Sequence, residues 1–379
     1  MDVVVLGAGL VGGPMALDLA RDPKFTVTAA DRDAAALKKL HAAEGSIRTV
    51  TIDLSDAAAL TSLVSDHDLV LSAVPGFMGF QTLKTVIEAG KNAVDIAFFP
   101  EDPFELDTLA QEKGVAAIVD CGVAPGMSNL LAGSVDSRLD ETDTVLIYVG
   151  GLPEVREWPY EYKAVFSPID VIEEYTRPAR YIENGALVTR EALSDPELLH
   201  FPGVGTLEAF NSDGLRTLIH TITAPNKKEK TLRYPGHIDK IAVLRNTGFF
   251  DEAPIEIGGT SIRPIDVTAK LLFPKWELKE GEVDITVMQV IVEGMKGGRR
   301  VRYTYDLLDR YDPETRIHSM ARTTGYAATM AVRMFGEGLY DRKGISPPEF
   351  VGRNEACVEF ILRGLEERGV RFKRTIAEL

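Results

Sequence analysis

The chain of 379 residues has little of what many active sites are built from. It holds two cysteines, Cys121 and Cys357, far apart and outside any Cys-x-x-Cys spacing. That excludes a disulfide framework and a cysteine-rich zinc site, and a reducing, cytoplasmic setting is expected. The six histidines show no ligand spacing, so no metal is expected, and the sequence contains no GxSxG elbow, HExxH pair or Walker-A loop. Positive charge is also short: 42 Lys and Arg stand against 57 Asp and Glu, a net charge of −15. A polyanion requires a basic face, so no nucleic-acid partner is expected. A cationic small substrate is favoured by the same field. No run reaches the roughly 18 apolar residues of a membrane span, and the first strand begins at the amino terminus, so neither a membrane partner nor a signal peptide is expected.

What is present begins at residue 2. An apolar run, residues 3–6, enters Gly7-Ala-Gly9-Leu10-Val11-Gly12, and an apolar helical pattern follows over 11–21. Buried parallel strands are apolar on both faces because helices cover both. Gly7 permits the tight turn, Gly9 admits a pyrophosphate close to the backbone, and Gly12 lets the helix approach the strand. The helix amino end then offers N–H groups and a positive dipole end. Asp31, nineteen positions beyond Gly12, ends a second strand (25–30), where a carboxylate accepts from ribose hydroxyls and repels a 2′-phosphate. Arg32 beside it is able to pair with a 2′-phosphate or stack on adenine. NAD is therefore the expected cofactor, with NADP the lesser alternative.

Alternating strands and helices continue to residue 119, with strands at 46–51, 69–73, 92–95 and 115–119 and helices at 34–43 and 103–113. The expected fold class is α/β: a Rossmann-type doubly wound parallel sheet, followed by an α+β domain with a mixed, mainly antiparallel sheet. Ligands bind outside the carboxyl ends of such strands. That puts Asp53 and Leu54 near adenine, Val74 and Pro75 near the nicotinamide ribose, and Asp95, Ile96 and Ala97 at the nicotinamide end. For Asp53 a helix cap is an equal alternative. The expected domains are 1–122, 123–322 and a helical tail, 323–379, returning to the first.

In the second domain we expect a strand at 145–149 ending in Gly150-Gly151, a helix opened by Ser167-Pro168, a β-like run at 217–223, a polar loop at 224–230, and a hairpin at 283–308 turning through Lys296-Gly-Gly298. The segment 344–349 reads as a rigid extended loop and 357–367 as a closing helix. His237, in the turn Arg233-Tyr-Pro-Gly-His237, is a candidate base, against a surface or capping histidine. Lys163 and Asp213 are the other catalytic candidates; Lys163, with Tyr160 and Tyr162, is placed as a wall opposite the nicotinamide. Arg233 reads either as a bidentate clamp for a substrate carboxylate or as a structural ion pair. Glu208, Asp213 and Arg216 flank an Asp213-Gly214 turn, where an acid is able to hold an ammonium group or serve the turn itself.

Five motifs in order, the glycine fingerprint, Asp120-Cys-Gly-Val-Ala-Pro-Gly-Met-Ser-Asn129, Thr231-Leu-Arg-Tyr-Pro-Gly-His237, Arg322-Thr-Thr-Gly325 and Gly344-Ile-Ser-Pro-Pro-Glu349, resemble the saccharopine dehydrogenase-like family, specifically its lysine 6-dehydrogenase branch. The resemblance implies a Rossmann domain, a substrate domain with a large mixed sheet, a returning tail, and oxidation at a carbon bearing an amine or the reverse reductive amination. For the lysine branch it implies hydride transfer from the ε-carbon of L-lysine to NAD, with release of ammonia and the cyclising 6-semialdehyde. Contacts to substrate are then expected from Arg233, His237 and the turn holding Ala124. Saccharopine-forming members resemble one another in having Asp-Pro-Gly at that turn; Ala124-Pro125-Gly126 lacks the carboxylate. A reductase joining an amine to an aldehyde, saccharopine- or carboxynorspermidine-type, and a nicotinamide sensor without turnover are the alternatives. A homodimer is the default assembly.

Overall fold

The computed structural model describes residues 1–279 and 281–379. The chain forms two compact units: Met1–Leu139, His220–Ile222 and Ala321–Phe372 make the first, and Asp140–Ile219, Thr223–Met320 and Lys373–Leu379 the second. Among the described residues the strands form a seven-stranded sheet, a nine-stranded sheet and a separate two-stranded ribbon.

In the first unit, β1 (Asp2–Leu6), β2 (Thr26–Asp31), β3 (Arg48–Thr51), β4 (Leu69–Ser72), β5 (Asn92–Asp95) and β6 (Ala116–Ile118) lie in the order 3-2-1-4-5-6, all parallel. Val3, Val4, Val5 and Leu6 are fully buried, as an apolar strand in the middle of a two-sided sheet requires. The helices α1 (Gly12–Ala20), α2 (Ala34–Ala43) and α3 (Ala57–Ser65) follow the first three strands. Asp33 and Asp56 cap α2 and α3, each accepting from two free N–H groups. A fourth helix, α4 (Gly76–Glu88), lies beyond the sequence-based expectation; it buries Leu83, Val86 and Ile87 at helical spacing. The strand order reverses between β1 and β4, the crevice where such sheets bind ligands.

The segment expected as an extended loop is instead a strand and a helix. Gly344–Ser346 adds a seventh parallel strand beside β6, and Pro348–Gly352 is helical. The sheet edge satisfies its backbone: Gly344 N donates to Val115 O at 2.8 Å, and Ile345 N to Asp107 Oδ1 at 2.7 Å. The helix Glu355–Glu367 does not close the chain, because the strand Phe372–Glu378 follows it.

The second unit is built on the nine-stranded sheet. Asn226–Arg233 runs parallel to Glu141–Pro153, and the hairpins within 197–211 and 284–310 are antiparallel. Three expectations need correction here. The strand at 145–149 runs on through both glycines to Pro153. Gly150 is in the strand for packing, since a Cβ there would meet Leu232 O at 2.6 Å. Within the β-like run at 217–223 lies a short helix, Leu218–Thr221, and the polar loop at 224–230 is a central strand from Asn226 onward. Hydropathy hides that strand because two of its three lysines, Lys227 and Lys230, are buried with their charge met. Lys227 Nζ donates to the carbonyls of Leu218 and Ile219, each at 2.8 Å, and Lys230 Nζ to Asp195 O at 2.7 Å.

Candidate functional site

The first unit presents a cradle shaped for a dinucleotide. Gly7 has φ +100°, and a Cβ on Gly12 would lie 2.1 Å from Gly7 O, so both positions exclude any side chain. Gly9 has no atom within 4 Å of its missing Cβ, which leaves the loop backbone open to a ligand at the amino end of α1. Leu10, between them, is exposed and Val11 half-buried. Asp31 is oriented onto this loop: its Oδ2 accepts from Ala8 N at 2.7 Å and its Oδ1 from Asp33 N at 2.9 Å. Each oxygen keeps a second lone pair for a ribose hydroxyl. Arg32 is exposed beside it.

Val74 is buried and Pro75 half-buried at the carboxyl end of β4. At the end of β5, Asp95 and Ala97 are buried and Ile96 half-buried, with Asp95 Oδ1 accepting from Ala97 N. Asp53 is exposed and spends Oδ1 on Ser55 N and Oγ, which lowers its carboxyl pKa; Leu54 packs on the core beneath it. Two residues without a sequence-based assignment join this rim. Phe77 opens α4 with 75% exposure, an aromatic face left uncovered beside Pro75. Asp120 follows β6 with φ +50°, fully buried, a backbone region in which non-glycine residues are uncommon. Cys121 N donates to Asp95 O at 2.9 Å, tying the two strand ends together. Burial, then Asp95 and Asp120, push the Cys121 thiol up to about 12, so it offers no thiolate. In the turn beyond, Ala124 is half-buried, and a Cβ on Gly126 would strike Gly122 O.

In the second unit four of the expected site residues converge, though not as an open site. Arg233 and His237 are buried. Arg233 Nη2 donates to Glu174 Oε2 at 2.6 Å, Nη1 to Leu232 O at 2.9 Å and Nε to the Tyr175 hydroxyl at 3.1 Å, while the guanidinium lies 4.5 Å from the centre of the Tyr162 ring. His237 Nδ1 lies 2.8 Å from Tyr160 O, a carbonyl that only accepts, so Nδ1 carries the proton. Nε2 therefore accepts from the Tyr175 hydroxyl at 3.0 Å. Glu208, paired in register with Arg233, accepts from Gly236 N at 3.0 Å and braces the turn. Burial, and then Arg233, lower the His237 pKa to about 3. A neutral imidazole with both nitrogens engaged has no lone pair for a substrate proton. In this geometry both nitrogens of His237 and the fork of Arg233 are engaged with protein groups rather than open to a ligand. Glu174 and Tyr175, which complete the network, carry no site signal in the sequence, because both sit on the outwardly ordinary helix Pro168–Thr176.

The remaining candidates lie apart from that network. Lys163 Nζ is held near Glu282 Oε1 (3.3 Å) and Glu157 Oε2 (3.5 Å), so the wall lysine is neutralised by two carboxylates. Asp213 takes a bidentate fork from Arg180 at 2.9 and 2.8 Å, which leaves it ion-paired rather than poised as a base. Arg216 is buried with φ +52°.

A buried carboxyl nearby carries a pH signature. Glu229 Oε2 accepts from Ser212 Oγ at 2.7 Å and Gly214 N at 3.1 Å, and burial raises its pKa to about 8. Because the folded value lies above the unfolded one, the protonated carboxyl stabilises the fold at low pH, and that contribution is lost as pH rises from about 4.5 through about 8. Glu229→Gln is expected to flatten this dependence. Thermal unfolding at pH 6 and pH 8.5 should show a smaller difference in the variant; an equal difference removes Glu229 as its source.

Two family models divide the chain. The saccharopine dehydrogenase NADP binding domain matches residues 3–118, and the saccharopine dehydrogenase C-terminal domain matches 122–370. The chain belongs to the saccharopine dehydrogenase family. Among family relatives, the saccharopine dehydrogenase (NADP+, L-glutamate-forming) of Pyricularia oryzae is 29% identical over 265 residues, which cover 66% of this chain and 58% of that protein. The mitochondrial alpha-aminoadipic semialdehyde synthase of Mus musculus is 30% identical over 250 residues, covering 62% of this chain and 27% of that protein. The chain thus matches little more than half, or about a quarter, of these relatives' lengths. The solved apo saccharopine dehydrogenase (L-Glu forming) of Saccharomyces cerevisiae shares the fold, with a TM-score of 0.80 at 21% identity over 99% of each chain. The first unit accordingly carries the family's nucleotide-cofactor-binding domain.

Proposed function

We propose that this chain is a dehydrogenase of amino-acid CH–NH groups that uses NAD and oxidises the carbon bearing a terminal amine, with L-lysine at its ε-carbon as the substrate. The observation that carries the reading is the cradle of the first unit, a glycine loop at the amino end of α1 with Asp31 turned onto it. Ala124 supports a simple amine, since the turn offers no charged group for a larger adduct. When bound, the nicotinamide accepts a hydride. The chain's own residues do the rest: α1 and its glycine loop hold the pyrophosphate and Asp31 the ribose. The balance is R–CH2–NH3+ + NAD+ + H2O → R–CHO + NH4+ + NADH + H+.

The relatives' names favour a second reading, oxidation of saccharopine with NADP. Assaying the purified chain with lysine and with saccharopine, each with NAD and NADP, separates the two. NADH and ammonia formed from lysine alone support the first; turnover only of saccharopine overturns it.

Cofactor choice is tested at one side chain. A hydrogen bond to a charged group is worth about 1.5–3 kcal/mol, so Asp31→Ala is expected to weaken NAD binding roughly 10- to 100-fold and to narrow its advantage over NADP. Unchanged binding of both by calorimetry removes Asp31 from the ribose.

A further inference from the structure

We infer that the second unit carries a binding pocket for a basic α-amino acid, set between the helix Pro168–Thr176 and the chain that follows the helix His237–Thr247. The pocket has a volume of about 370 Å³, within the range of small-molecule sites. The sequence builds it locally. Gly248, with φ +91°, ends the helix His237–Thr247 in the left-handed region. Beyond that turn Phe250 is buried, while Asp251 and Glu252 are exposed. Ile265 N donates to Asp251 O at 3.1 Å and closes the wall. Ile172, Phe250 and Ile265 make the apolar floor, and all three belong to one buried core cluster.

Charge at the rim is unequally spent. Arg245 donates through Nη1 to Ala192 O, through Nη2 to Glu191 Oε2 at 3.2 Å and through Nε to Asn246 Oδ1 at 3.2 Å. A guanidinium has five N–H donors, so two remain for a ligand. Glu173 is held by Arg177 at 3.3 Å. Asp251 and Glu252 differ: among the described residues neither carboxylate is hydrogen-bonded or ion-paired. An apolar floor thus stands between two unspent carboxylates and a partly spent arginine.

That arrangement selects its occupant. A cation pairs with Asp251 and Glu252, a carboxylate takes the remaining Arg245 donors, and methylenes between them cover Ile172 and Phe250. An α-amino acid with a cationic side chain has all three parts. An alkyl diamine lacks the anion, and a neutral apolar amino acid lacks the side-chain cation. The net charge of −15 favours the approach of a basic ligand. The helix that supplies Ile172 also carries Glu174 and Tyr175, so an occupant touches the helix that braces Arg233 and His237.

Calorimetry of the full chain without cofactor tests the pocket, with L-lysine, cadaverine and L-norleucine as probes. Lysine is expected to bind about tenfold or more tightly than either of the others, as one charged hydrogen bond allows. Asp251→Asn/Glu252→Gln removes both charges at exposed positions. It is expected to weaken lysine binding by about tenfold or more, with the melting temperature and NAD binding of the wild type. No lysine binding by the wild type, equal binding by the double variant, or cadaverine binding as tightly as lysine overturns the proposal. The pocket and the proposed reaction fail separately. Lysine bound here but not oxidised with NAD overturns the reaction alone; a double variant that binds and oxidises lysine as the wild type does overturns the pocket alone.

Discussion

Arg233→Ala is expected to lower stability by about 3–5 kcal/mol, the cost of breaking an ion pair whose arginine is buried and whose carboxylate is half-buried. The change strands the Glu174 carboxyl, whose pKa burial already raises, and removes the donor from Tyr175. Tyr175 in turn donates to His237, and His237 to Tyr160 O, so the loss spreads through three hydrogen-bonded groups. Denaturant unfolding of the variant against the wild type reads the effect. The two readings of Arg233 divide cleanly here. A structural arginine lowers the unfolding midpoint and spares the KM of whatever protein remains folded; a substrate clamp raises KM and leaves the midpoint in place. Arg233→Lys keeps the charge but not the fork, and should fall between alanine and the wild type in stability.

Asp18→Ala is expected to cost a similar amount, about 3–5 kcal/mol, and to loosen the first unit's tail. Asp18 lies on α1, the helix that opens at the glycine loop, and it is buried. Its Oδ2 accepts from Arg333 Nη1 at 2.6 Å and Thr329 Oγ1 at 2.5 Å, its Oδ1 from Arg368 Nε at 2.8 Å, and its carbonyl from Arg333 Nη2 at 2.9 Å. One carboxylate thus holds two guanidiniums, and removing it leaves both to repel each other in a poorly solvated place. The tail beyond residue 321 should become sensitive to limited proteolysis, and NAD affinity should fall as α1 loses its support. A proteolysis pattern and an unfolding midpoint equal to the wild type's would show that the tail is held by apolar packing alone.

What is legible in the sequence shares one property: the residues involved are neighbours along the chain. The strand–glycine–helix start needs only Val3 to Gly12, and its reading depends on local sterics and the helix dipole. The hairpin through Lys296-Gly-Gly298 is equally local, with turn glycines at φ +58° and +77° between alternating strands. The strand Asn226–Arg233 escapes such a reading because its lysines look solvated until the carbonyls that receive them are known. Asp120 carries a usable signal, an acid directly after a buried apolar strand, of the same kind that identifies Asp31.

By itself, then, the sequence determined the strand–glycine–helix turn at Gly7, Gly9 and Gly12, the place of Asp31 at the end of the second strand, and the fold class around them, since local conformation and apolar periodicity are sufficient for all three. Tertiary structure alone decided what the polar residues do. Arg233 finds Tyr175 and Glu174 at separations of 58 and 59 residues, and His237 finds Tyr175 at 62. Burial then turns the same side chains from exposed reagents into satisfied, neutralised supports. The physical reason is desolvation: the charge or proton a side chain is able to offer depends on which partners surround it once water has gone, and those partners are brought together only by the fold.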